Sequence, residues 1–262
     1  MQLTDRAGPA YFHKVVDCQW ACPAHTPVPE YIRLIAQGRY TDAYMINWVS
    51  NVFPGVLGRT CDRPCEPACR RGRVEEEQSA KPEPVAICRL KRVAADFKDD
   101  ITHLLPVPAV RKNGRRIACV GAGPASLTVA RDLAPLGYDV TVFDRDARAG
   151  GMIRSQIPRF RLPEEVIDEE TGYVLKLGVD FRGGVEISSM NALLAQGAKK
   201  PRIQAKAFGG GTIIETAGQS LAIGQRNARF ARDWLQREGI PIIASDFLGP
   251  WSRKVLFVPS NG

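Results

Sequence analysis

The chain has 262 residues, 44% of them apolar and 24% charged, the balance of a globular protein of one large or two ordinary domains. No apolar run approaches the roughly 18 residues a bilayer-crossing helix needs, and the opening MQLTDRAGPAYFHK has no apolar core followed by a cleavage site, so a membrane span and an export signal are not expected and the location reads as cytoplasmic. Of the net charge of +8, residues 198–262 supply a surplus of six (10 basic, 4 acidic), but dispersed and without aromatic interleaving, which predicts a solvated basic face rather than a nucleic-acid site.

Seven cysteines, six of them before residue 90, stand in a chain without an export signal. That argues against a disulfide framework and for a metal or redox centre. Cys18 and Cys22 are separated by three residues, and so are Cys61, Cys65 and Cys69. Between the two groups, VPEYIRLIAQGRYTDAYMINWV carries apolar residues at three- and four-residue steps, which predicts two short helices parted at Gly38. Pro64 and Pro67 oppose a continuous helix around Cys65, so the thiols are expected on loops. Four thiolates are what a 4Fe–4S cluster requires. Zinc is the rival, with His13 and His25 as further donors, although its structural sites favour tighter Cys pairs or Cys/His sets.

After the Pro-containing linker LLPVPAVRKNG comes RRIACVGAGPASLTVARDLAPLGYDVTVFDRD. Ile117–Val120 reads as a buried strand, the stretch from Gly121 to Ser126 as a turn, Pro124 to Leu136 as a helix, and Tyr138–Phe143 as a second strand. This is the order of a dinucleotide-binding βαβ unit. Gly121 permits the tight turn and Gly123 lets the backbone approach a diphosphate. Pro124, Ala125 and Ser126 open the helix whose N-terminal amides and dipole would face that anion. Asp144, 23 residues after Gly121, is expected to accept hydrogen bonds from ribose hydroxyls. Cys119, inside the first strand, reads as a core thiol.

The stretches CPAHTPVPEYI, NVFPGVLGRTCDRPCEPACRRG and EPVAICRLKRVAADF resemble the N-terminal iron–sulfur domain of the glutamate synthase small-subunit family, which includes subunits of dihydropyrimidine dehydrogenase. The continuation ARAGGMIRSQIPRFRLPEEVIDEETGYVLKLGVDFRGGVEI resembles the flavin domain of the same family. The resemblance implies FAD at the glycine turn, with Gly150 and Gly151 passing close to the cofactor and Arg154 approaching it. It assigns Cys22, Cys61 and Cys65 to one cluster and Cys18 and Cys69 to another. Cys88 is the candidate fourth ligand of the first, and one complete cluster is the most these thiols support. The second nucleotide-binding fold and the later Gly-Asp motif of that family are not found here, so oxidation of NADPH is not expected.

The tail is of another kind. AKAFGGG, IGQRN, NARFARDWLQREG, IPIIAS and GPWSRKVLFVPSNG resemble the C-terminal part of the chemoreceptor glutamine deamidase (CheD) family. That family uses Cys, His and Thr residues from its N-terminal half, whereas residues 198–262 contain neither Cys nor His, so deamidation is not expected. Ala228, Ala231, Trp234 and Leu235 share one face of the expected helix, with Gly239 as its stop. FGGGTIIETAG and AIGQRN read as turns between strands.

The expected architecture is therefore α/β overall: a helical iron–sulfur domain over 1–110, a truncated FAD-binding Rossmann segment over 111–197, and a partial CheD-like α/β segment over 198–262. The expected function is electron transfer with a 4Fe–4S cluster and FAD, with a redox subunit as partner. The alternatives are a CheD-like fragment that binds a chemotaxis protein, and a chimera without function.

Overall fold

The computed structural model describes residues 16–73, 82–209 and 223–249. They fall into two compact units, 1–187 and 188–262.

The first unit opens with helices α1 (Asp17–Ala21), α2 (Val28–Ala36), α3 (Tyr40–Asn51), α4 (Pro54–Thr60) and α5 (Ile87–Phe97). Gly38, at φ +73°, parts α2 from α3 as expected. The polypeptide then enters β1 (Arg116–Val120), α6 (Pro124–Leu133), β2 (Asp139–Asp144), the short α7 (Met152–Ser155), α8 (Glu164–Leu175) and β3 (Asp180–Gly183). The three strands are parallel in the order β1-β2-β3, with Arg116 opposite Asp139 and Thr141 opposite Asp180. Beyond α6 the chain tightens into a 3₁₀ turn, Ala134–Leu136, which ends at Gly137 with φ +87°.

One expectation about this sheet is corrected. The strand expected to be buried is mostly solvated: in β1 only Cys119 is buried, and Val120 is 53% exposed. The physical reason is topological, because β2 takes the middle of the sheet and β1 is an edge among the described residues. The strand that is buried is β2, through Val140, Val142 and Phe143.

The helical and nucleotide-fold segments share one core. Tyr44 and Trp48 from α3, Val56 from α4, and Val52 and Phe53 between them pack in the same cluster as Leu127, Ala130, Val140, Val142, Ile167 and Val174. The Arg131 guanidinium reinforces the seam, donating to the Trp48 carbonyl at 2.8 Å and lying 4.9 Å from the Trp48 ring. At its centre is Glu170 of α8, only 1% exposed. Its carboxylate accepts from the amides of Gly55 (2.7 Å) and Val56 (2.9 Å) and from the Tyr44 hydroxyl (2.8 Å). The first amides of α4, unsatisfied within the helix, are thus capped by a residue 115 positions away. Gly55 allows this close approach, since a Cβ there would meet Glu170 Oε1 at 3.1 Å.

The second unit contains α9 (Met190–Ala195), β4 (Ala205–Gly209), α10 (Ile223–Arg237) and β5 (Ile242–Phe247). Ser189 caps α9 by accepting from the Ala192 amide. Strands β4 and β5 are parallel, with an irregularity between Ala205 and Lys206. In α10, Ala228 is buried and Ala231, Trp234 and Leu235 are half-buried on its flank, the face read from the sequence, and Gly239 has φ +66°. The reading of AIGQRN as a turn between strands is corrected: Ile223–Asn227 forms the first turns of α10. Helix-forming residues follow without a breaker, and Gly224 is tolerated near the start. Most of FGGGTIIETAG and of GPWSRKVLFVPSNG lies outside the described residues.

Burial raises the Glu170 carboxyl from 4.5 to about 7, against the lowering effect of its amide and hydroxyl donors. The folded state therefore holds the proton more tightly than the unfolded one. The stability contributed by this group is full below the ordinary carboxylate value and declines as the pH rises through about 7. Compared with Glu170→Gln, the wild-type protein is expected to lose up to about 3 kcal/mol between pH 4.5 and pH 8. Urea unfolding of both proteins across that range measures it, and parallel profiles would contradict it.

Candidate cluster and dinucleotide sites

The end of α4 delivers Cys61, the turns over 64–68 carry Cys65, and Cys88 occupies the first turn of α5. Pro64 and Pro67 keep the middle segment non-helical, as expected. Helices α4 and α5 approach so closely that a Cβ on Gly58 would stand 2.8 Å from the Arg92 amide nitrogen. Two anchors fix the start of α5: the Cys88 amide donates to Glu66 Oε1 at 3.0 Å, and the buried Tyr31 hydroxyl donates to the Ile87 carbonyl at 3.1 Å.

As a result, the thiols of Cys61, Cys65 and Cys88 are near enough to influence one another. The neighbouring Cys88 raises the Cys61 thiol well above its ordinary value and lowers that of Cys65. For Cys88 itself, Cys61 lowers the value, while Cys65 and burial raise it, leaving it at about 11. Cys22 is near enough for its charge to raise Cys65, and its thiol lies 3.5 Å from Thr26 Oγ1. The ammonium of Lys91, a residue only 5% exposed and one turn beyond Cys88, lowers Cys61, Cys65 and Cys88 alike. Among the described residues no three His, Cys, Asp or Glu side chains converge as ligands of a single ion. A 4Fe–4S cluster makes a different demand, because each of its irons takes its own thiolate. Four neighbouring thiols opposed by a buried ammonium suit its charge.

Cys69 belongs to an apolar cluster that also contains Cys65, and Cys18 packs against it. Cys119 is buried in β1, as read from the sequence. His25 stacks on Trp20 with its Nδ1 3.3 Å from the Gln19 carbonyl, and His13 lies outside the described residues.

At the carboxyl ends of β1 and β2 a cavity of about 330 Å³ is lined by Gly121, Asp144, Arg145, Asp146, Gly151 and Ser155, among others. This is the crevice in which parallel α/β sheets bind ligands. Gly121 has φ +89°, and a Cβ on Gly121 or Gly123 would meet nothing within 4 Å, so the turn faces open space. Pro124 is the first residue of α6, and Ala125 and Ser126 follow in its first turn, where amides lack intrahelical partners. Gly151, with φ +52°, packs onto the turn so tightly that a Cβ would stand 2.9 Å from Gly123 Cα, and the Gly150 amide donates to the Ala122 carbonyl at 2.9 Å.

Two side chains behave differently from the reading of the sequence. Asp144 lines the cavity, yet its carboxylate also accepts from the amides of Ala122 and Asp146, so it braces the glycine turn. Arg154 does not line the cavity. Its guanidinium is taken by Glu164, Asp168 and the Ala149 carbonyl, which makes it a strut between the Gly150–Gly151 turn and α8. Arg145, Asp146 and Ser155 were missed, although the charged run after Asp144 marks the first two. Lys91 was missed as well, and its spacing of three from Cys88 was the available signal.

Comparison with known proteins matches three family profiles in turn. Residues 10–102 match dihydropyrimidine dehydrogenase domain II, 4Fe–4S cluster; residues 119–180 match the NAD(P)-binding Rossmann-like domain; and residues 187–262 match CheD chemotactic sensory transduction. The small chain of glutamate synthase [NADPH] from Mycobacterium tuberculosis is 35% identical over 170 residues, 65% of this chain and 33% of that protein. The PreT subunit of NAD-dependent dihydropyrimidine dehydrogenase from Salmonella typhimurium is 31% identical over 222 residues, 84% of this chain and 51% of its own length. A probable chemoreceptor glutamine deamidase, CheD 2, from Dechloromonas aromatica is 51% identical over 124 residues, 47% of this chain and 58% of that protein. The chain thus spans between a third and three-fifths of these relatives. Its front resembles the iron–sulfur and nucleotide-binding part of oxidoreductase subunits, and its tail resembles CheD. No helix among the described residues is long and apolar enough to cross a membrane.

The α4–α5 contact generates a prediction. Gly58→Ala is expected to force the two helices apart, destabilising the protein by about 1–3 kcal/mol. It should also lower iron uptake, because Cys61 and Cys88 then no longer meet. Urea unfolding with iron analysis after anaerobic reconstitution measures both, and unchanged values would refute the close packing.

Proposed function

We propose that residues 1–187 form an electron-transfer module. In this reading a 4Fe–4S cluster is held by Cys22, Cys61, Cys65 and Cys88. FAD lies against Gly121, Gly123, the α6 amides of Pro124–Ser126, Asp144, Gly150 and Gly151. The observation that carries the proposal is the shared core: Val56 of α4, the helix that leads to Cys61, and Ala122 of the glycine turn belong to one apolar cluster, with Glu170 capping α4. Bound iron and flavin supply one- and two-electron redox chemistry that side chains lack.

The chain's own residues do the rest. Lys91 offsets thiolate charge, and the helix N-terminus offers amides to a diphosphate. Asp144 holds the glycine turn in shape and faces the cavity where a ribose would lie. A redox subunit is the proposed partner, consistent with the multisubunit relatives. A second reading concerns the tail: its likeness to CheD supports binding to a chemotaxis protein. Deamidation by residues 198–262 alone lacks a thiol nucleophile and an imidazole base.

Anaerobic reconstitution of the full chain with iron, sulfide and FAD is expected to give about four irons per chain with the visible absorbance of a 4Fe–4S cluster, together with bound flavin. Cys65→Ser and Cys88→Ser should each lose most of the iron, while Cys119→Ser keeps it. Colourless wild-type protein would overturn the proposal.

A further inference from the structure

Cys22, at the end of α1, is followed by a turn in which the His25 amide donates to the Cys22 carbonyl at 2.9 Å. The turn brings the chain back so that Thr26, only 1% exposed, sets its Oγ1 3.5 Å from Cys22 Sγ. On its other side Thr26 meets a chain of buried amides from α3. Asn47 Nδ2 donates to the Ala43 carbonyl at 2.8 Å, and because that carbonyl can only accept, the Asn47 amide has one orientation. Its Oδ1 therefore faces Asn51, whose Nδ2 donates to it at 3.4 Å and to Thr26 Oγ1 at 3.2 Å. Turning the Asn51 amide over would set two carbonyl oxygens against each other. The orientation is kept although it leaves Asn51 Oδ1 buried with no partner among the described residues. Ser50 Oγ lies 3.2 Å from Thr26 Oγ1 and 3.1 Å from the Asn47 carbonyl, which takes the serine proton.

The direction of these bonds decides what Thr26 can do. Its oxygen accepts from Asn51, so its one proton is left for Ser50 Oγ or for Cys22 Sγ. As a free thiol, Cys22 is itself the donor across the 3.5 Å contact. As a ligand of iron it has lost that proton and carries negative charge, and a charged acceptor draws a donor more strongly than a neutral hydroxyl does. We propose that Thr26 is a positioning residue for the cluster: its hydroxyl donates to the Cys22 thiolate and raises the cluster's reduction potential. The inference rests on the four-thiol reading of the cluster. Reduction adds one negative charge, so a donor on a ligand sulfur stabilises the reduced form more than the oxidised one. Burial of Thr26 strengthens the bond and keeps water from supplying a substitute donor.

The test uses the full chain, reconstituted anaerobically with iron and sulfide but without FAD, and titrated with dithionite while the visible absorbance follows the cluster. Thr26→Val removes the hydroxyl and keeps the shape. It is expected to retain the wild-type iron content and to shift the midpoint to a more negative potential. The shift corresponds to about tenfold in the ratio of oxidised to reduced cluster at a fixed potential, or about 59 mV for one electron. Thr26→Ser, which keeps the hydroxyl, should return the midpoint to the wild-type value. Where urea unfolding shows that valine disturbs the fold, Thr26→Ala set against Thr26→Ser isolates the hydroxyl, and the same shift is expected between those two. A midpoint that does not move when the hydroxyl is lost, or that moves as far in Thr26→Ser, would overturn the proposal and leave the four-thiol reading intact. Wild-type protein that takes up no iron would instead refute the cluster reading, and this proposal with it.

Discussion

A single buried carboxylate holds the first unit together. Glu170 caps α4 from a distance of more than 100 residues, and α4 in turn delivers Cys61. Removing that cap would leave two buried amides and the Tyr44 hydroxyl without an acceptor, a far larger cost than losing a surface ion pair. The neighbouring Lys98 belongs to the same seam. Its ammonium bonds Glu169 at 2.7 Å and lies 5.1 Å from the Tyr44 ring, so charge and aromatic face meet where the helical and nucleotide-binding parts join. Placing a helix on this pin, and packing a second against it at Gly58, is what turns scattered cysteines into neighbours.

Much of this was legible in the sequence where the governing rule is local. The spacing of Cys61, Cys65 and Cys69 with two prolines announced loops carrying thiols, and Gly38 announced a break between helices. The order of strand, glycine turn, helix and acidic residue announced the nucleotide crevice. Each signal depends on residues within a few turns of one another. What escaped depends on tertiary contact. Nothing around Glu170 marks it as a cap for a helix 115 residues earlier. The resemblance implied that Arg154 approaches a cofactor, but Glu164 and Asp168, brought beside it by folding, take its charge. The exposure of β1 is likewise a matter of sheet order, which an apolar run cannot disclose.

The tail shows the same contrast in simpler form. The apolar face of α10 was readable from residues at helical spacing, and burial of Ala228 follows it. The start of the helix was not, because Gly224 in AIGQRN carries the signature of a turn while the residues after it favour a helix. The longer cooperative element prevailed.

One consequence follows from α8. Its first turns grip Arg154 through Glu164 and Asp168, and hence the glycine pair at the crevice, while Glu170 further along grips the helix that leads to the thiols. The two ends of the proposed redox path are therefore mounted on one rod, with a rise of about 1.5 Å per residue, and not on a pliable linker. Such a mounting ties the spacing of the two proposed sites to the pitch of a single helix.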